Sequence, residues 1–394
     1  DFTELQPFLK QALEAENFNF EVHDREIVAA GIAKAGEMLS RKYTWQVTNV
    51  PFKRKGDLSD SIQEFIDQNY PSSRNALETV FLERLIKMTN NGSTISIILP
   101  QNLLFLSSYT DLRRKILSNL GWDYLVWLGE NAFRTPLGVS PILLSISNSS
   151  PFRKFIGIDV CESINSEQKS ESLFSSTYLY IDPQKQLDNP DHRITGHIVD
   201  SETLLSKIAD TSHGQGSFDT SRFSFIFNEI YPIKSDWVYQ QSSPESTKLF
   251  GGCNYIFRWE NGLGALKELM DAKKKDGYSS GKWRAGVNHW GKNGILVRQI
   301  GDLPVSLYLG YSFDDDTAAI IPHNKNDLEA LWSFCSSKEF NSSVRVIDKK
   351  RNVTNSTFGK VSFERAKWEK IFKDEMPNGI PMPYSDDPSQ WIFH

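Results

Sequence analysis

The sequence predicts an α/β fold, a mostly parallel sheet with intervening helices, followed by a smaller α+β domain. Three observations predict it. Residues 1–160 alternate segments of helical and strand periodicity. Two apolar strands, "WDYLVWLG" and "VSPILLSIS", are separated only by the loop "ENAFRTPLG", too short for a crossover helix. Beyond about residue 246 the texture changes, with frequent Gly, Trp and Lys/Arg among short strands.

The opening "DFTELQPFLKQALEAENF" reads as a loop leading into a helix, and "HDREIVAAGIAKAGEMLSRK" has apolar residues at helical spacing. "YTWQVTN" alternates like a strand. "ALETVFLERLIKMTNNG" predicts an amphipathic helix with Val80, Phe81, Leu82, Leu85, Ile86 and Met88 as its buried stripe and Asn-Asn-Gly as its stop. The strand "STISIILP", the helix "SYTDLRRKILSNL" and the two apolar strands follow. Those last two should pair antiparallel at one edge of the sheet. "NSSPFRKFIGIDVCESINSEQKSESLFSSTY" reads as a strand and a Ser-rich connector, and "NDLEALWSFCSSKEF" as one good helix. The expected organisation is a first domain over residues 1–160, a connector over 161–245 and a second domain over 246–394.

Composition narrows the possible functions. A 394-residue chain with 39% hydrophobic content can fill real cores. Its longest apolar runs fall far short of the roughly 20 residues that cross a bilayer. Three widely separated cysteines without a CxxC pair argue against a disulfide framework or a thiolate metal site, and fit a reducing cytoplasm. The seven histidines show no HxxxH or HxH spacing, and Asp314 to Asp316 read as a solvated turn, so no metal is assigned.

The stretch "YTWQVTNVPFKRKGD" carries the chemistry. In open α/β sheets ligands sit at the carboxyl ends of strands, which is where Asn49 to Phe52 would fall. Asn49 offers a side-chain carbonyl, Val50 a main-chain carbonyl, Pro51 a stiffened turn and Phe52 a flat apolar face. Two acceptors can hold an exocyclic amine while a ring stacks on a base drawn out of the duplex. Alone, the tetrapeptide reads equally as a strand-ending turn.

The order strand, Asn-Val-Pro-Phe, helix, strand, helix, strand, loop, strand resembles the catalytic half of amino-methylating methyltransferases, whose signature is Asp/Asn/Ser-Pro-Pro-Tyr/Phe. With "VFLERLIKM", "ISIILPQNLLFLSSYTDLRRKIL", "WLGENAF" and "WGKNGILVRQIGDLPVSLYLG", nearly the whole chain resembles adenine-specific DNA methyltransferases of the type IIG restriction-modification and phage-exclusion (PglX-like) group. The resemblance implies a Rossmann-like methyltransferase sheet, incomplete at its N-terminal side and with an antiparallel edge strand, then an α+β target-recognition domain. It implies methyl transfer from S-adenosylmethionine to a flipped adenine. Asn49, Val50, Pro51 and Phe52 would form the catalytic motif, and Phe133, or else a core residue, would be a second aromatic beside the base. Val50 departs from the family's first Pro but keeps the needed carbonyl. Implied partners are double-stranded DNA and other restriction-modification or phage-exclusion subunits. The family's Gly-rich cofactor loop should precede the motif, and none lies between Asp1 and Arg41. The chain therefore reads as a central fragment that leaves most of the cofactor site outside it. The GxG in "NGLGALKELM" reads as a loop before a helix.

Between Ala272 and Arg298, seven cations, Lys273, Lys274, Lys275, Lys282, Arg284, Lys292 and Arg298, face the single carboxylate of Asp276. Tyr278, Trp283, His289 and Trp290 are interleaved with them. Such a stretch can grip phosphates and offer tips to base edges, with Lys282, Trp283, Arg284, Asn288, Trp290 and Lys292 as the DNA-binding residues. Lys53 and Arg54 would extend the positive rim. On charge alone the stretch is a solvated helix end and a turn whose Trp residues pack inward. Two other functions compete: a catalytically silent DNA-recognition or scaffold subunit, and a methyltransferase acting on RNA or a protein glutamine.

Overall fold

The computed structural model describes residues 31–393, apart from 33, 134–138, 152, 198–201, 231 and 276–280. It forms two compact units, Asp1–Ile198 and Val199–His394. Among the described residues no helix is long and apolar enough to cross a membrane.

The first unit is built on a six-stranded sheet of order β1-β2-β4-β3-β5-β6. Its strands are β1 (Tyr43–Asn49), β2 (Thr89–Pro100), β3 (Gly121–Trp127), β4 (Pro141–Ser147), β5 (Phe155–Asp159) and β6 (Leu179–Ile181). β1 runs parallel to β2, and β3 parallel to β5. β4 is antiparallel to both β2 and β3. It therefore lies inside the sheet, not at the expected edge. The short loop does force antiparallel pairing with β3, but β4's other side is taken by β2. Five of its seven residues are buried, as a central strand requires.

Helices α1 (Asp60–Asn69), α2 (Leu77–Lys87) and α3 (Thr110–Asn119) connect the parallel strands. The core gathers Leu82, Ile95, Ile97, Leu99, Leu112, Ile116, Leu117, Leu125, Leu144 and Phe155, each almost fully buried. Each contributes roughly 1.5–3 kcal/mol relative to exposure. In α2, Val80 and Leu82 are buried whereas Phe81 is exposed. Asn90, Asn91 and Gly92 are not the stop of α2, which ends at Lys87; they belong to β2. There the register jumps, Tyr43 opposing Thr89 and Trp45 opposing Thr94. Gly92, at φ +74°, takes the left-handed backbone that such a bulge needs.

Buried Arg113, on α3, ties distant segments together. Its guanidinium donates to the carbonyls of Leu103 (2.9 Å), Leu106 (2.7 Å) and Asp191 (2.6 Å), and through Nε to that of His192 (3.2 Å). Burial lowers its pKa to about 10, so it stays charged at neutral pH.

The stretch 161–245 is no independent connector. Helix α4 (Ser166–Ser175) and β6 extend the first unit, while β7 (Ala209–His213), β8 (Ser224–Ile226) and β9 (Trp237–Gln241) enter sheets of the second. Its Ser-rich composition hid strands too short to show period-two alternation.

The second unit has two four-stranded sheets, β12-β11-β14-β7 and β13-β9-β10-β8. The remaining strands are β10 (Tyr255–Arg258), β11 (Gly294–Arg298), β12 (Val305–Tyr308), β13 (Ser312–Phe313) and β14 (Thr317–Pro322). Helix α5 (Ala265–Lys275) carries Lys273 to Lys275 in its last turn, where cations complement the helix dipole. The segment expected as one helix is two, α6 (Leu328–Cys335) and α7 (Lys338–Ile347). Ser337 breaks it, because its hydroxyl accepts the Phe340 N–H (3.2 Å) and caps a new start. Phe334 packs against Phe340, Phe363 and Trp368, all at 5.3 Å.

Candidate active site and nucleic-acid interface

Because β1, β2 and β3 point the same way, the loops after Asn49, Pro100 and Trp127 leave from one rim of the sheet. Asn49, Val50, Pro51 and Phe52 occupy the first. Trp45, Val47 and Asn49 alternate on one side of β1 and are exposed, whereas Gln46 is buried and donates to Thr89 Oγ1 (2.5 Å) and the Leu85 carbonyl (3.1 Å). Asn49 pairs in register with Ile98, so the motif begins on fixed backbone. Val50 is buried, Pro51 is exposed and Phe52 half-buried, leaving ring surface accessible. Phe133 is half-buried in the rim loop after β3, beyond the left-handed Gly129 and Asn131.

The chain leaving Phe52 is clamped to the start of α2. Lys53 N–H donates to Glu78 Oε2 (3.2 Å), Leu77 N–H donates to the Lys53 carbonyl (2.9 Å), and Lys55 N–H to the Asn75 carbonyl (3.1 Å). Glu78 is buried, and desolvation raises its pKa despite hydrogen bonds from its own amide and that of Lys53. Tyr109, buried at the end of the second rim loop, hydrogen-bonds Thr79, and burial pushes its phenol up. Sequence reasoning passed over Glu78, whose only signal is an acidic residue in a helix's first turn. It also passed over Gln101, buried at the rim with an amide nitrogen that finds no partner among the described residues. Lys53 and Arg54 are exposed, while Lys55 is held by Asp67 at 2.5 Å.

In the second unit the basic stretch forms two 3-10 turns, Gly281–Arg284 and Val287–His289. Tyr278 lies outside the described residues. Trp283 and Trp290 do not extend outward as base-reading tips. With Val287 they pack against the cluster of Phe223, Phe257, Trp259, Leu266 and Met270. Trp259 lies 5.7 Å from Trp283 and 5.3 Å from Trp290, and the Trp290 Nε1 is itself buried. The large apolar area of indole outweighs its single polar group, so the rings anchor the turns. Lys282, Arg284, Asn288 and Lys292 remain exposed. Buried Gln215 fixes their backbone, donating to the Trp283 carbonyl (3.0 Å) and accepting from Ser312 (2.6 Å). The result is an exposed basic edge on a rigid aromatic base.

Asp314 does not sit in a solvated turn. Its carboxylate accepts from Ser242, its Oδ1 is buried, and desolvation raises its pKa to about 6, aided by Asp316 and Asp315. The folded state therefore binds a proton more tightly than the unfolded chain. Stability from this group is complete below the unfolded value near 4 and is lost as pH rises through about 6. Asp314→Asn is expected to stabilise the second unit at pH 8 by about 1–3 kcal/mol and to change little at pH 4. Denaturant unfolding at both pH values checks this, and an equal effect at the two would contradict it.

The GxG near residue 263 is no cofactor cradle. A Cβ on Gly264 would collide with the Glu260 carboxylate, whose Oε2 accepts the Ala265 N–H at 2.9 Å. An acid already fills the space that an anionic ligand would need. Among the described residues no Gly-rich turn follows a strand into a helix at the rim, so the described residues do not by themselves make an S-adenosylmethionine site.

The mixed α/β sheet carries Asn-Val-Pro-Phe at its carboxyl rim. Residues 3–133 match the family described as Eco57I restriction-modification methylase. The chain is similar to the adenine-specific methyltransferase PglX of Lacticaseibacillus casei (strain Zhang), 23% identical over 296 residues, covering 66% of this chain and 24% of the relative. It is similar also to the adenine-specific methyltransferase BrxX of Escherichia coli O9:H4 (strain HS), 23% identical over 344 residues, covering 80% and 27%. It thus spans about a quarter of the length of these curated relatives. In fold it is similar to the type IIL restriction-modification enzyme MmeI, solved in complex with DNA, with a TM-score of 0.57 at 13% identity over 85% of this chain and 50% of that one.

Proposed function

We propose that the protein serves site-specific methylation of adenine in duplex DNA, with S-adenosylmethionine as methyl donor, in a restriction-modification or phage-defence system. One observation carries the reading: Asn49 to Phe52 lie at the carboxyl rim of the parallel strands, fixed at both ends, inside the segment that matches the methylase family. The Asn49 side-chain carbonyl and the Val50 main-chain carbonyl accept the two N–H groups of the adenine amine. That orients the nitrogen lone pair away from the protein acceptors, and Phe52 stacks on the flipped base, with Phe133 as the second aromatic. The amine is the nucleophile, so the residues contribute positioning and electrostatics, with no covalent enzyme intermediate.

Lys53 and Arg54 in the first unit, and Lys282, Arg284, Asn288 and Lys292 in the second, bind the DNA. The direct test is transfer of a labelled methyl group from S-adenosylmethionine to unmethylated genomic DNA. Label in N6-methyladenine supports the proposal. DNA binding without label leaves a silent recognition subunit, and label in RNA or protein instead would overturn the DNA reading. For the basic edge, the double substitution Lys282→Ala and Arg284→Ala is expected to lower the magnitude of the log affinity against log salt slope by about 2, near one unit for each phosphate no longer neutralised. Gel shifts across a salt series measure it, and an unchanged slope would remove both residues from the interface.

A further inference from the structure

We infer that Glu78 is a positioning residue for the adenine site, its carboxylate fixing the peptide plane between Phe52 and Lys53 and thereby the stacking ring. This rests on the adenine reading of Asn49 to Phe52 given above. The entry to the tetrapeptide is set by the ladder at Asn49 and Ile98. Inside it, Val50 is buried and Pro51 has its φ restricted by its ring. What remains is the exit, where the Lys53 N–H belongs to the same planar unit as the Phe52 carbonyl. Glu78 Oε2 accepts that N–H at 3.2 Å, and the next peptide is held by Leu77 donating to the Lys53 carbonyl at 2.9 Å.

A helix-start cap alone would not need this geometry. First-turn acids serve helix starts well from exposed positions, whereas Glu78 is buried at 8% exposure. Burying a carboxylate is costly unless hydrogen bonds are made to it. Its neighbours supply few: the Tyr109 phenol is taken up by Thr79, and the hydrogen bonds to Glu78 come from its own amide and that of Lys53. The Lys53 amide is the partner from outside its own helix that the arrangement provides.

Two substitutions separate positioning from bulk stability. Glu78→Met fills the site with an unbranched side chain that accepts no such bond, and Glu78→Gln keeps an acceptor oxygen in place. In methyl transfer to unmethylated genomic DNA, Glu78→Met is expected to lower kcat about tenfold with KM for DNA within about twofold, since the hydrogen bond that fixes the Phe52–Lys53 peptide is removed. Glu78→Gln is expected to recover most of that loss. Hydrogen exchange at the Lys53 amide should quicken in Glu78→Met while core amides of β2 keep their protection. Wild-type kcat in Glu78→Met, or equal losses in both variants, would overturn the inference. If Glu78→Met does not fold, Glu78→Ala takes its place: faster Lys53 exchange than in wild type supports the inference, and unchanged exchange overturns it. Absence of methyl transfer to any DNA by wild-type protein that binds S-adenosylmethionine would instead overturn the adenine reading itself, a distinguishable result.

Discussion

Replacing Asn49 by alanine is expected to cut methyl transfer to DNA by at least about 100-fold while leaving duplex affinity within about twofold. The size follows from the role proposed for it: an acceptor aimed at the reacting amine acts mainly as that amine becomes the nucleophile, and loss of one such preorganised group typically costs two to three orders of magnitude in kcat. In the proposed mode phosphate contacts from exposed Lys and Arg side chains dominate binding, so affinity should be spared. Asn49 is exposed at the end of β1, so truncating it removes little packing. Labelled methyl incorporation and gel shifts, run on the same preparations, check both halves. Methylation surviving in Asn49→Ala would show that the rim holds its base by other groups.

Arg113→Met should produce the largest loss of stability, about 3–5 kcal/mol, seen as a lower denaturant midpoint for the first unit. The guanidinium is buried and satisfies four carbonyls from two stretches of chain, those of Leu103 and Leu106 and those of the Asp191–His192 pair. Met fills similar volume but leaves those carbonyls without their donor. The left-handed backbone of Asp191 and His192, at φ +58° and +51°, then loses a group that holds it. Arg113→Lys should recover only part of the loss, because an ammonium cannot reproduce the planar fork. An Arg113→Met protein with wild-type stability would show that water takes over these carbonyls at no net cost.

The place of Asn-Val-Pro-Phe at the end of a strand was readable because it is set locally. Asn and Pro end the strand that alternation defines, and the following helix and strand place it at a carboxyl end. The antiparallel pairing of β3 with β4 was readable for a similar reason, since a short loop permits little else. The place of β4 between β2 and β3 was not, because it depends on β2, which is distant in the chain. Trp283 and Trp290 show the same division. Their neighbours in sequence are basic and suggest a nucleic-acid face, but their neighbours in space are Trp259, Phe257 and Met270.

By itself, the sequence determined the element types around the motif and the local chemistry of Asn49 to Phe52, because hydrophobic periodicity and side-chain functional groups are properties of adjacent residues. Only the tertiary structure decided the strand order, the inward turn of the indoles, the burial of Asp314 and the grip of Glu78 on the Lys53 amide. Each of those depends on contacts between residues far apart in the chain, and burial, which sets the strength of every charge and hydrogen bond involved, exists only once those residues meet.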